Sequence, residues 1–209
     1  MSVHFKELTG VSLKESFLAN VEKKGARLMN YFKRVDAQKR TTVLDALLKI
    51  QNERGQSTGT SEELIEMVVL LLAHFAEKEE HLLQFIDKTS LAEDVQMENV
   101  PPTPCLIVCG PSCFAAERFM LSIDQEIVND HIISFTSAIC LMFASYYCFN
   151  IHYPVELRST LEFLQRCFFS INPERGTKVE WKKKKKVYAV NPRVFTLIAD
   201  LADHEWTFQ

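Results

Sequence analysis

Between Ile132 and Ile151 twenty consecutive residues carry no charge, and their apolar positions wrap the whole circumference of any helix they form. Such a helix has to be covered on nearly every side, so the run predicts a core element around which the rest of the chain packs. Tyr153-Pro154 ends it, because proline lacks a backbone donor and pushes the preceding residue out of helical geometry. From Val155 to Phe169 the apolar residues Leu157, Leu161, Leu164 and Phe168 recur at helical spacing, with Glu156, Arg158, Glu162 and Arg166 filling much of the remainder. Together the two segments predict a buried helical hairpin over about 132–170. The charge-free run also has the length of a membrane span. Ser134, Thr136, Ser137, Ser145 and Asn150 dilute it, however, and charged flanks are scarce on one side, so no membrane association is expected.

The sequence has the material to bury this hairpin. Of its 209 residues 47% are hydrophobic and 11% aromatic, enough for a sizeable core and against disorder over most of the length. A formal charge of −3, from 24 basic and 27 acidic side chains, provides no global field toward nucleic acid or anionic membrane, so any such binding has to be local. Met1 to Gly10 lacks the basic start, apolar stretch and cleavage site of a secretory signal, and no Asn-x-Ser/Thr sequon occurs. An intracellular location, cytoplasmic or nuclear, is expected, with Cys105, Cys109, Cys113, Cys140, Cys148 and Cys167 as thiols.

Upstream, Leu13, Phe17, Val21, Leu28 and Phe32 mark one stripe of a long helix over 12–34 with a soft spot at Gly25, and Val43, Leu44, Leu47 and Leu48 mark another over 41–52. Residues 53–59 read as a loop. Thr60 with Glu63 forms a capping box that opens a third helix. Its apolar middle, 67–75, continues through Glu77-Lys78-Glu79-Glu80 into Leu82, Leu83, Phe85 and Ile86 as one long helix or two joined near Ala76. Residues 1–90 thus form a helical region, 91–104 a stiff connector with Pro101, Pro102 and Pro104, and 105–209 an α+β core domain packed with the helical region. In the latter, Leu106 to Cys109 and Arg118 to Val128 read as strands of a small antiparallel sheet over about 105–128. Asn172 to Gly176 is turn chemistry, 179–190 another strand edged by lysines, and Asn191-Pro192 caps a closing helix with Val194, Leu197, Ile198 and Leu201 on its inner face. The fold class is α+β, predominantly α-helical.

The run SFTSAICLMFASYYCFNIHYPVELRSTLEFLQRCFFSINPERGTK, with the upstream TPCLIVCG and FMLSIDQEIV, resembles the C-terminal region of fish proteins similar to sterile alpha motif domain-containing protein 3. The resemblance extends over roughly 64–209 and is strongest over 134–178. The sterile alpha motif itself is not found, since the first sixty residues are too few for it, and its self-association is not carried over. The resemblance implies the same boundaries and an intracellular setting, and no activity, cofactor or catalytic residue.

Several constellations invite chemistry. Cys105, Cys109 and Cys113 lack the second cysteine pair of a zinc knuckle, which leaves buried thiols as the better account. Gly110-Pro111-Ser112-Cys113 suggests a nucleophile on a sharp turn, but Phe114 stands where the elbow needs glycine, and His131, His152 or His204 would have to supply the base. His74, Glu77 and His81 could share a helix face toward a metal, a pattern more often found at the edge of a core. No phosphate-cradling glycine loop is present. Neither a cofactor nor a metal is expected. The sharpest charged feature is Lys182, Lys183, Lys184, Lys185 and Lys186, which reads either as an interaction or nuclear-import patch or as a solvated edge. The expected function is a non-enzymatic module that binds a protein partner; the alternative is a nucleic-acid-associated protein, of mobile-element descent, using Lys182 to Lys186 against phosphate.

Overall fold

The computed structural model describes residues 1–34, 41–54, 60–172, 181–182, 185–186 and 190–203. The chain is α+β and predominantly helical. Helix α1 (Ser2–Thr9) closes on Gly10 in the left-handed region and lays Phe5 edge-on against Phe143 and Tyr147. Helix α2 (Leu13–Arg34) buries Leu13, Phe17, Val21, Leu28 and Phe32, the stripe read from the sequence, and Gly25 lies inside it against Met67. In α3 (Thr41–Arg54) the inward face is Val43, Ala46 and Ile50, while Leu44 and Leu48 are exposed. That corrects the expected face, because the helix turns its i, i+3, i+7 row inward. Glu53 and Arg54, expected in a loop over 53–59, belong to α3, and the Arg54 guanidinium pairs with the buried Glu66 carboxylate of α4 (Thr60–Phe75); 55–59 lie outside the described residues. The side chain of Thr60, and with it the capping box, lies outside the described residues.

A further correction concerns the end of α4. The helix stops at Phe75: Ala76 takes φ 52°, Leu72 O accepts the Glu77 N–H at 2.9 Å and Ala73 O that of Ala76 at 3.1 Å. This is a Schellman ending with alanine where glycine is usual. The expected helical continuation is instead strand β1 (Leu83–Ile86), parallel to β2 (Cys105–Cys109) with Leu83 opposite Leu106. A parallel neighbour requires a crossover, and residues 87–104 supply it as a strap with short 3-10 turns at Ala92–Asp94 and Met97–Asn99. The stretch expected as one strand over 118–128 is a hairpin of β3 (Arg118–Ile123) and β4 (Glu126–Ile132), since Asp124 and Gln125 both have positive φ and form a two-residue turn. The sheet, in order β1-β2-β3-β4, is therefore mixed and wider than 105–128.

Its two faces bury different partners. Leu106, Val108, Phe119, Leu121 and Ile132 join the main core, where Phe119 meets Phe135 at 5.8 Å between ring centroids. Cys105, Ile107, Cys109 and Met120 form a smaller core closed by Val100 and, in part, Val95 and Met97 of the strap. The uncharged run forms α5 (Phe135–Cys148), capped by the Ser134 hydroxyl, which accepts the Ser137 N–H at 3.3 Å. It is shorter than the run at both ends: Ile132 belongs to β4, and Asn150 at φ 52° ends the helix. Among the described residues no helix is long and apolar enough to cross a membrane.

The second arm is α6 (Arg158–Phe163) continued by a π-helical turn, Leu164–Phe168, and it buries Leu157, Leu161, Leu164 and Phe168 as expected. Helices α2 and α4 each pack on both arms, so the hairpin is enclosed by the N-terminal region. Lys24 and Asn20 of α2 donate to the carbonyls of Cys167 and Phe168 at 2.9 and 3.0 Å, closing the far end of the arm. Two-residue strands β5 (Trp181–Lys182) and β6 (Lys185–Lys186) pair antiparallel; of the strand expected over 179–190, residues 179–180, 183–184 and 187–189 lie outside the described residues, as does the turn from Pro173. Helix α7 (Pro192–Asp203) starts on Asn191, whose side chain accepts the Arg193 N–H at 3.0 Å, and buries Val194, Leu197 and Leu201.

Candidate functional site

Where β1, the end of the strap, the β3–β4 turn and the approach to α6 meet, they leave a cleft of about 660 Å³. Its walls are fixed by backbone geometry and hydrogen bonds. Pro101 and Pro102 hold the strap extended, Pro102 O accepts the Asp124 N–H at 2.7 Å, and the Gln125 side chain donates to Val100 O at 2.9 Å. On the opposite side the Gln84 amide donates to Glu80 O at 2.6 Å. Pro154, in the segment between α5 and α6, forms part of the rim.

Among the described residues the ionisable groups of this lobe are Glu80, Glu98 and Glu156 with His81, and neither lysine nor arginine lines it. Glu80 has a neighbour in Lys78 at 3.3 Å, an exposed pair of little energetic weight. Glu98 and Glu156 have no ion-pair partner among the described residues. Through His81 and Glu156 the lobe adjoins a second one of about 380 Å³, where Lys78, Arg158 and Arg193 stand beside Glu77. Most polar groups there are engaged in structure. The Glu77 carboxylate accepts the Ser159 and Thr160 N–H groups at 2.7 and 3.0 Å, capping α6; the Arg193 guanidinium donates to Phe75 O; and Asn191 donates to Ser159 Oγ at 3.1 Å.

Behind this second lobe Glu162 is completely buried. It pairs with Arg166 at 3.0 Å and accepts the Asn191 N–H at 3.3 Å, linking α6 to the start of α7. Burial raises its carboxyl above the ordinary glutamate range, against the opposing pull of Arg166, the Asn191 N–H and Arg158.

The residues singled out in the sequence are scattered. Cys105 and Cys109 point into the small core and Cys113 into the main one. Burial pushes the Cys105 thiol up to about 12 and raises that of Cys113 as well, helped by Glu79. The charged neighbours of Cys113 are Glu79, Lys49 and Glu53, and Ser112 Oγ is occupied by the Ala115 N–H at 3.3 Å. Among the described residues the turn therefore presents a buried thiol without an imidazole among its charged neighbours, which is poor chemistry for a nucleophile; His204 lies outside the described residues. Because Ala76 breaks the helix, His74, Glu77 and His81 do not share a face. His74 is packed among Tyr31, Phe32 and Phe75 at 5.0 to 6.4 Å between ring centroids, Glu77 caps α6, and His81 reaches the cleft. Among the described residues no group of three or more His, Cys, Asp or Glu side chains is placed to hold a metal. Of the lysine run, only the backbone of Lys182, Lys185 and Lys186 is described; Lys183, Lys184 and all five side chains lie outside the described residues.

The lining residues Glu80, Glu98, Gln125 and Glu156 were not singled out by sequence reasoning. The proline cluster was the one available signal, since a stiff strap lying across a sheet has to leave an edge. No protein-family model, curated protein or solved structure matches the chain.

Proposed function

We propose that the chain is a non-enzymatic protein-interaction module whose docking surface is the two-lobed cleft beside the strap. The observation that carries this reading is the combination of a rigid, proline-walled concavity with the Glu98 and Glu156 carboxylates, which have no ion-pair partner among the described residues. Carboxylates left in such a position are ready to meet a complementary surface, and their cost of desolvation is offset only when one arrives. The groups best suited to chemistry, by contrast, are committed elsewhere: Glu77 and Glu162 to holding α6 and α7, and the thiols of Cys105 and Cys113 to the cores. An intracellular setting, cytoplasmic or nuclear, is part of the proposal and fits six free cysteines. Kinship with the fish proteins similar to sterile alpha motif domain-containing protein 3 is a further part of it and supplies no activity.

The test is affinity capture from cells with the wild-type chain and with Glu98→Arg/Glu156→Arg. Both positions are exposed, so the substitutions leave the fold intact. Proteins retained by the wild type are expected to be lost from the variant; identical retention by the two would remove the cleft from the account.

A further inference from the structure

We infer that the acidic lobe of the cleft receives the lysine hairpin, Trp181 to Lys186, of a second copy of the chain. The inference rests on the reading of the cleft as a docking surface and goes beyond it by naming the occupant.

Charge complementarity is the first argument. Among the described residues the larger lobe carries Glu80, Glu98 and Glu156 and no lysine or arginine. The strongest concentration of the opposite sign in the sequence is the unbroken run Lys182 to Lys186, which has Glu180 as its nearest acidic residue. Five adjacent ammonium groups repel one another, and that repulsion is relieved by carboxylates brought from outside the run. The second argument is shape. Trp181 pairs with Lys186 and Lys182 with Lys185, so the described ends of the run lie side by side as a narrow two-stranded ribbon. Two paired strands lie about 5 Å apart, a width that a cleft of about 660 Å³ accommodates. The third argument is the order of charge along the groove. Beyond the acidic lobe stand Lys78, Arg158 and Arg193, which repel lysine and favour the Glu180 side of the hairpin, so the groove sets a direction of entry. A chain bearing both complementary parts closes into a two-fold dimer when each copy inserts its hairpin into the other, making the same contact twice.

The test is sedimentation velocity of the full chain at about 50 mM and about 500 mM salt, which spans weak to strong screening. The wild type is expected to dimerise at low salt, with association at least tenfold weaker at high salt. Glu98→Gln/Glu156→Gln and Lys183→Gln/Lys184→Gln/Lys185→Gln should each be monomeric, with melting temperatures near that of the wild type. The decisive arm mixes Glu98→Lys/Glu156→Lys with Lys183→Glu/Lys184→Glu/Lys185→Glu: neither associates alone, and the mixture forms a heterodimer. Absence of that heterodimer overturns the inference, as does wild-type chain that stays monomeric at low salt, or a lysine variant whose only defect is loss of binding to duplex DNA. If captured partners still depend on Glu98 and Glu156 while no self-association occurs, the docking reading stands and this one falls. If neither depends on them, both fall.

Discussion

Ala76 bears a conformational strain that its neighbours impose. The Schellman bonds from Glu77 to Leu72 O and from Ala76 to Ala73 O hold it at φ 52°, where a β-carbon is disfavoured. Ala76→Gly should raise stability by about 1 kcal/mol, read from chemical denaturation. Gly25 is the converse case. It sits inside α2, and an added β-carbon would meet Met67 Sδ at 3.6 Å and Val21 at 3.8 Å, ordinary contact distances. Gly25→Ala should therefore also stabilise, by about 0.5–1 kcal/mol, from helix propensity alone. Loss of stability in either variant would mean that the local geometry is not as described. Glu162 makes a prediction about pH. Because burial holds its carboxyl above the unfolded value, the folded chain keeps this proton to higher pH than the unfolded chain does. The contribution of Glu162 to stability therefore falls as pH rises from about 4.3 through the raised value. Across that window the stability of the wild type relative to Glu162→Gln should decline; a relative gain with rising pH would contradict the burial argument.

At the scale of elements, what could be read from the sequence depended on how strongly local pattern and tertiary packing agreed. Helices α2, α6 and α7 declared themselves, because Leu13 to Phe32, Leu157 to Phe168 and Val194 to Leu201 repeat at helical spacing and the structure buries those faces. Strand β1 did not, since Leu82 to Ile86 is too short to separate strand from helix by periodicity, and Ala76 stands where a glycine would have announced the helix end. The β3–β4 turn was hidden for the same reason: Asp124 and Gln125 adopt positive φ without glycine. The cleft was illegible because its carboxylates, Glu80, Glu98 and Glu156, come from three separate places in the chain, and only the fold gathers them. The uncharged run was legible as core, although its ends and its anchor residue were not. Phe143 of α5 is completely buried and stacks on Phe169 at 3.8 Å between centroids, whereas Leu141 is only partly covered. Phe143→Ala should accordingly cost about 3–5 kcal/mol in denaturation and Leu141→Ala distinctly less. Equal losses would deny α5 its place at the centre.

For the whole molecule, the strap is the element that joins fold to proposed function. It makes the crossover that a parallel β1–β2 pair demands, covers the outer sheet face with Val100, Val95 and Met97, and leaves Pro101 and Pro102 as a stiff wall of the cleft. Stability and docking are thereby separated, because the buried side of the strap maintains the small core while its exposed carboxylate, Glu98, faces solvent. In the proposed dimer the lysine run is the docking element. Replacing Lys183, Lys184 and Lys185 by Gln should move the melting temperature little, since five like charges in sequence resist burial together and surface substitutions usually contribute within about 0.5 kcal/mol each. In a fluorescent fusion too large for passive diffusion, the same change should reduce nuclear accumulation if the run also serves as an import patch, and an unchanged distribution would dismiss that role. The central claim is that partners occupy the cleft, and carbodiimide labelling of carboxylates followed by mass spectrometry tests it most directly. Glu98 and Glu156 should label readily in the dilute purified chain and be protected several-fold in cell extract, while Glu22 on the outer side of α2 labels alike in both. Labelling of Glu98 and Glu156 that is the same in extract as in the purified chain would contradict the account.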